Sequence, residues 1–230
     1  MVITVPLWFY EFGSAMYLVA SFVGILLSYY SFKLFSLTSK KQHMLFHSAF
    51  IFITVGFIAL TLGNLYSYVN FEHCKPECKI NPQDPTYFWI RFGNYGYYFT
   101  TLVGYGLLAL TYFKSKRGKF FAMAPIGLDI LFQFQGADAV LYPFANNYFN
   151  AFHILSIILL TYIVTQTASN YFRTKSKYSL LVVAGFAFIE IYHLLMFLIA
   201  VNPTFFALAH FSLLVGFVSL LTMLMQVNKR

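Results

Sequence analysis

Charge is scarce in this chain of 230 residues: only 10% are charged, and just seven are Asp or Glu. Soluble domains carry about a quarter charged residues. A chain that is 60% hydrophobic, with 29 Phe and 18 Tyr, has no polar coat to hold its core in water. This excludes a secreted enzyme, a nucleic-acid-binding module and a disordered tail. The net charge of +8 is no nucleic-acid signal once its placement is read.

Cutting the chain at its charged residues leaves seven apolar stretches, near 12–32, 44–68, 88–113, 120–143, 149–172, 178–200 and 204–226. Each approaches the roughly 20 residues that cross a bilayer as a helix. The expected fold is one all-α domain over residues 1–230, a seven-helix transmembrane bundle. Twelve of the 15 basic residues fall on alternate connectors: Lys33, Lys40 and Lys41; Lys114, Lys116, Arg117 and Lys119; Arg173, Lys175 and Lys177; Lys229 and Arg230. Basic connectors stay in the cytoplasm. The reading is therefore an N-terminus outside, a C-terminus inside, and a multi-pass protein of the plasma membrane. Positions 1–10 lack a basic leader region, so the first span reads as its own insertion signal. The connectors are too short for a catalytic domain.

The largest loop, about 69–87, carries both cysteines as Cys74-Lys-Pro-Glu-Cys78. On the outer side a disulfide can persist, and this separation can bring two Cα atoms within bonding range. A metal-binding pair is the alternative, but no second pair completes a tetrahedral site. Leu102-Val103-Gly104-Tyr105 in span three and Leu214-Val215-Gly216-Phe217 in span seven look alike. They suggest a parallel repeat of spans one to three and five to seven around span four, a layout used by seven-span sugar transporters.

Ionisable residues inside a span are costly and mark function. His153, His193 and His210, on spans five to seven, fall at similar depth in the outer third. Asp138 and Gln135 on span four approach that level, and Asp129 and Glu190 lie deeper. Glu190 and His193 are three apart, on one broad helical face. Arg91 stands at the outer mouth of span three, with Asn94 a turn below. The three imidazoles could ligate a transition metal, with the carboxylates beside them, or two could hold haem b iron from opposite faces. They could also relay protons, or simply tie helices together. His47 has no histidine partner on the inner side and is expected at the interface. The aromatic residues Tyr95, Tyr97, Tyr98 and Phe99 on span three, and Phe132, Phe134, Tyr142 and Phe144 on span four, could line a pocket for a flat apolar ligand, but read first as helix packing.

Two segments resemble the microbial (type 1) rhodopsins. Arg91-Phe92-Gly93-Asn94-Tyr95, with Thr100-Thr101 below, is similar to the family's Arg-Tyr-x-Asp-Trp segment and threonine pair, with two extra residues before the threonines. His210-Phe211-Ser212-Leu213-Leu214-Val215-Gly216-Phe217 is similar to its Asp-x-Ser-x-Lys-Val-Gly-Phe stretch. The resemblance covers about 20 of 230 residues. It implies a shared scaffold, Asn94 where a counterion stands, and Leu214 where the retinal-binding lysine belongs. No span holds a lysine, so no covalent retinal is expected. The leading expectation is a sensory or signal-transmitting subunit that binds a ligand, metal or proton among spans three to seven. Its basic inner face would meet anionic lipid or a protein partner. The rivals are a redox subunit holding haem b or a metal through His153, His193 and His210, and a small transporter built on the repeat.

Overall fold

The computed structural model describes residues 7–73, 85–112, 147–199 and 201–228. Among them are six helices and no strand: α1 (Leu7–Thr38), α2 (Lys41–His73), α3 (Pro85–Thr111), α4 (Asn147–Thr174), α5 (Lys177–Phe197) and α6 (Thr204–Asn228). Five, all but α3, are long and apolar enough to cross a membrane. This is a helical, multi-pass membrane protein in character. At 27 residues α3 is about 40 Å long, enough to span, but its tyrosines, glycines, Arg91 and Asn94 make it less apolar than the other five. The expected fourth span, 120–143, with Asp129, Gln135 and Asp138, lies outside the described residues. So do Cys74 and Cys78, the connector Lys114–Lys119, and Lys229 and Arg230.

The helices close into a ring in chain order, α1 against α2, α2 against α3, and so on until α6 returns to α1. Small residues set the close seams, as expected where lipid gives no hydrophobic drive between helices. A Cβ on Gly63 would stand 2.8 Å from the Trp89 carbonyl on α3, and one on Gly216 would stand 2.7 Å from the Gly185 carbonyl on α5. Side-chain pairs fix the directions. On α3 and α5, Tyr97 bonds Tyr192, Tyr105 bonds His193, and the Tyr112 ring meets Phe186, so these helices are antiparallel. On α4 and α5, His153 meets His193 and Thr174 meets Ser179, so these are antiparallel too. Hence α3 and α4 run in parallel, and Tyr98 stacks on Phe152 where they touch. By the same logic α1 and α6 are parallel: Phe9 stacks on Phe206 at one end, and the Asn228 amide donates to the Tyr30 carbonyl at the other.

The hairpins α1–α2 and α4–α5 match feature by feature, 136 residues apart (175 − 39). Ser39 (φ 53°) and Lys175 (φ 51°) are the only described non-glycine residues with positive φ. Each ends its helix in the left-handed conformation that frees the chain to turn. Their amides donate to Phe35 O and Tyr171 O, both at 2.7 Å. The Thr38 and Thr174 hydroxyls each donate four residues back, to Leu34 O and Asn170 O. Lys41 and Lys177 open the next helices. The correspondence continues through the buried faces: Tyr17 and His153, Leu27 and Ile163, Phe50 and Phe186, Ile53 and Ile189 are all buried pairs at that spacing. In the third helices the spacing is 112 (216 − 104): a Cβ on Gly104 would strike Ile53 of α2, and one on Gly216 would strike Ile189 of α5. The same turn geometry, buried positions and glycine contacts thus recur in both halves of the ring.

Candidate functional site

At the end of the bundle opposite Lys40, Lys41, Lys175 and Lys177, the ring encloses a cavity whose lining includes Tyr17, Asn64, Asn94, Tyr97, His153 and Tyr192. It has about 30 Å³ for the centres of water molecules, room for about two waters. Both halves contribute at matched positions: Tyr17 and His153, Leu60 and Met196, Asn94 and Phe206. The aromatic walls follow from local spacing. Tyr97, Thr101, Tyr105 and Leu108 recur at helical intervals on α3 and are all buried.

His153 and His193 are buried, and their Nδ1 atoms lie 2.9 Å apart across the α4–α5 seam. The other His193 nitrogen, Nε2, is 2.9 Å from the Tyr105 hydroxyl. A three-member chain therefore joins α4, α5 and α3. Two turns outward on α3, the Tyr97 hydroxyl meets that of Tyr192 at 3.1 Å. His210, also buried, donates Nδ1–H to the Phe206 carbonyl at 2.7 Å. Its ring lies 4.7 Å from that of Tyr17 and 5.8 Å from that of Tyr192. It therefore stands behind the wall that these tyrosines form. Among the described residues, the Nε2 atoms of both His153 and His210 are buried without a hydrogen-bond partner. Such an unmet group costs about 1–3 kcal/mol.

The three histidine rings lie around that of Tyr192, at 6.2 Å for His153, 4.9 Å for His193 and 5.8 Å for His210, but Glu190 does not join them. It is half-buried at the α4–α5 seam, where the exposed Thr161 donates to Oε1 at 2.5 Å. A three-residue step turns a helix by about 60° short of a full turn. That suffices to put His193 in the core and Glu190 on the seam. Arg91 is exposed, with its guanidinium 5.5 Å from the Tyr95 ring centre. Asn94 does line the cavity. Asp129 and Asp138 lie outside the described residues. His47 is held by Ser28 of α1, at 2.8 Å from the hydroxyl, rather than turned to the interface alone.

A metal or haem b held through His153, His193 and His210 does not fit this arrangement. An ion between opposed imidazoles would set their nitrogens roughly 4 Å apart, whereas His153 and His193 bond each other directly. His210 Nδ1 is taken by its own helix. Among the described residues no three His, Cys, Asp or Glu side chains gather in a metal-binding group. Leu214 is half-buried at the edge of the core and does not line the cavity. Sequence reasoning missed the hydroxyl partners Tyr97, Tyr105 and Tyr192. The signal was present, since Tyr97 and Tyr105 are eight apart on one face of α3 and Tyr192 adjoins His193. No family model, curated protein or solved structure matches this chain.

Proposed function

We propose that this is a seven-span carrier of the plasma membrane, N-terminus outside, that moves a small solute through the seam between two three-helix repeats. The observation that carries the reading is the cavity shared by matched residues of both repeats. Nearer the basic end, Phe50, Leu108, Phe186, Phe217 and Leu220, again from both repeats, are buried. Carriers built from parallel repeats place the site where the repeats meet and rock the halves about it. The seventh crossing is supported by the parallel run of α3 and α4. Chain leaving α3 at the basic end must return to the far end before α4 begins, and 34 residues (113–146) are enough to do so. The basic turns at Lys40–Lys41 and Lys175–Lys177 support the inside assignment.

Cysteines placed at Ser39, Tyr112 and Lys175 should react with impermeant reagent only in opened cells, and those at Asn147 and Asn202 in sealed cells. Labelling of positions 112 and 147 from one side would remove the seventh crossing. Function is tested in liposomes: saturable flux of some small solute, absent from protein-free vesicles, is expected. Vesicles no more permeable than controls to every solute tried would sink the carrier.

A second reading, the sensory or signal-transmitting subunit, is favoured by one feature. The polar groups beneath the cavity are bonded to each other across α3, α4 and α5. An occupant that broke those bonds would shift three helices together. The rhodopsin resemblance belongs with this reading, as a proposal about scaffold.

A further inference from the structure

We propose that Nε2 of His153 is the ligand-contacting atom of the cavity, and that its ligand is an uncharged hydrogen-bonding molecule of about two heavy atoms, such as methanol. This deepens the carrier reading and rests on the same cavity.

The choice of atom follows by elimination. His153 lines the cavity, its Nδ1 is engaged by His193, and its Nε2 is buried without a partner among the described residues. The size follows from the space, which suits about two water-sized centres. The absence of charge follows from the wall. No Asp, Glu, Lys or Arg is among its described lining residues, which are aromatic, aliphatic, Asn and His. An ion brought here would lose its hydration with no opposite charge to replace it.

The chain behind His153 sets what it offers. A neutral imidazole has one donor and one acceptor nitrogen. If the Tyr105 hydroxyl donates to His193 Nε2, then His193 Nδ1–H donates to His153 Nδ1, and His153 presents Nε2–H to the cavity. If the chain runs the other way, His153 Nδ1–H donates, His193 Nε2–H donates to Tyr105, and His153 presents a lone pair. Both arrangements use the same contacts. His153 can therefore meet a hydroxyl or an amine as donor or as acceptor. His210 has no such freedom, because Nδ1–H is committed to the Phe206 carbonyl.

The test is ¹⁵N-histidine NMR on purified protein in lipid nanodiscs, with methanol as probe and acetate as charged control. A ligand of two heavy atoms is bounded to a dissociation constant on the order of 10 mM. The His153 Nε2 resonance should move saturably with methanol, not with acetate, and the His210 resonance should stay in its Nδ1–H form. Tyr105→Phe should leave His153 responsive but change the size or sign of the shift, because the hydroxyl that ends the chain in either direction is gone and the balance between the two directions changes. Asn94→Leu, which narrows the cavity without touching the chain, should weaken the response at least tenfold. A linear, non-saturating drift identical in Asn94→Leu, or an equal response to acetate, overturns the proposal and leaves a cavity that holds water only. The outcome is separable from transport. Flux of other solutes without a His153 response removes this ligand class and keeps the carrier. A saturable response with no flux keeps the site and favours the sensor.

Discussion

The first three helices and the last three share a frame and differ in chemistry. Their hairpins turn on Ser39 and Lys175 with the same φ and the same hydrogen bonds, and their third helices press Gly104 and Gly216 against the preceding helix. Yet where the second half has His153, His193 and His210, the first has Tyr17, Phe57 and Tyr98 at the corresponding places, all buried. The first half demonstrates that aromatic rings alone fill these positions. Packing therefore does not require the histidines. Three imidazoles with two unmet nitrogens are an expense of stability that the other half avoids, and such expenses concentrate where function is.

The largest expected effect tests the shared frame. Gly104→Val and Gly216→Val should each destabilise by about 3 kcal/mol or more, because an added Cβ meets backbone or branched side chains that cannot give way. Gly106→Ala is the control: nothing lies within 4 Å of its Cβ direction, and alanine gains up to about 1 kcal/mol of helix propensity. Thermal unfolding in detergent reads all three. A tolerated Gly216→Val beside a ruinous Gly104→Val would break the equivalence of the two halves.

The next tests the difference in chemistry. His193→Phe gives the second half the ring of Phe57 and strands two groups, His153 Nδ1 and the Tyr105 hydroxyl. A loss of about 2–4 kcal/mol is expected. The triple variant His153→Tyr, His193→Phe, Tyr105→Phe removes the stranded groups and copies residues found at the matching places, Tyr17, Phe57 and Phe217. It should recover at least half of that loss while abolishing the ligand response. If the single change costs nothing, the hydrogen-bonded chain does not form.

The sequence revealed the helices because uninterrupted apolar runs of this length have few alternatives. It brought the three histidines together because depth is counted along one chain. It concealed most of the correspondence between the halves for a physical reason. Lipid-facing positions accept any apolar residue, so identities are few, among them Thr38 with Thr174, Lys41 with Lys177, Phe50 with Phe186 and Ile53 with Ile189. The spacing also falls by 24, from 136 to 112, between hairpin and third helix, and the lengths of α2 (33 residues) and α5 (21) account for 12 of these. Glu190 was misplaced because spacing along a helix fixes an angle but not which neighbour fills it. The tyrosine hydroxyls were overlooked because a tyrosine's ring and its polar tip belong to different arguments.

The smallest effect is also the sharpest on geometry. Ser39 and Lys175 hold φ near 50°, where a Cβ is strained and glycine is not. Ser39→Gly and Lys175→Gly should each stabilise by up to about 1 kcal/mol, less the greater freedom glycine gives the unfolded chain. The informative quantity is the pair, not either value. Each hydroxyl before the turn bonds its own helix, and each turn amide donates four residues back at the same distance. The two substitutions should therefore shift the melting temperature in the same direction and by similar amounts. Lys40→Gly and Ser176→Gly, one residue on, should not stabilise, and Ser176→Gly should cost more because its hydroxyl accepts from the Tyr178 amide. Opposite signs at positions 39 and 175 would show that the two turns only look alike.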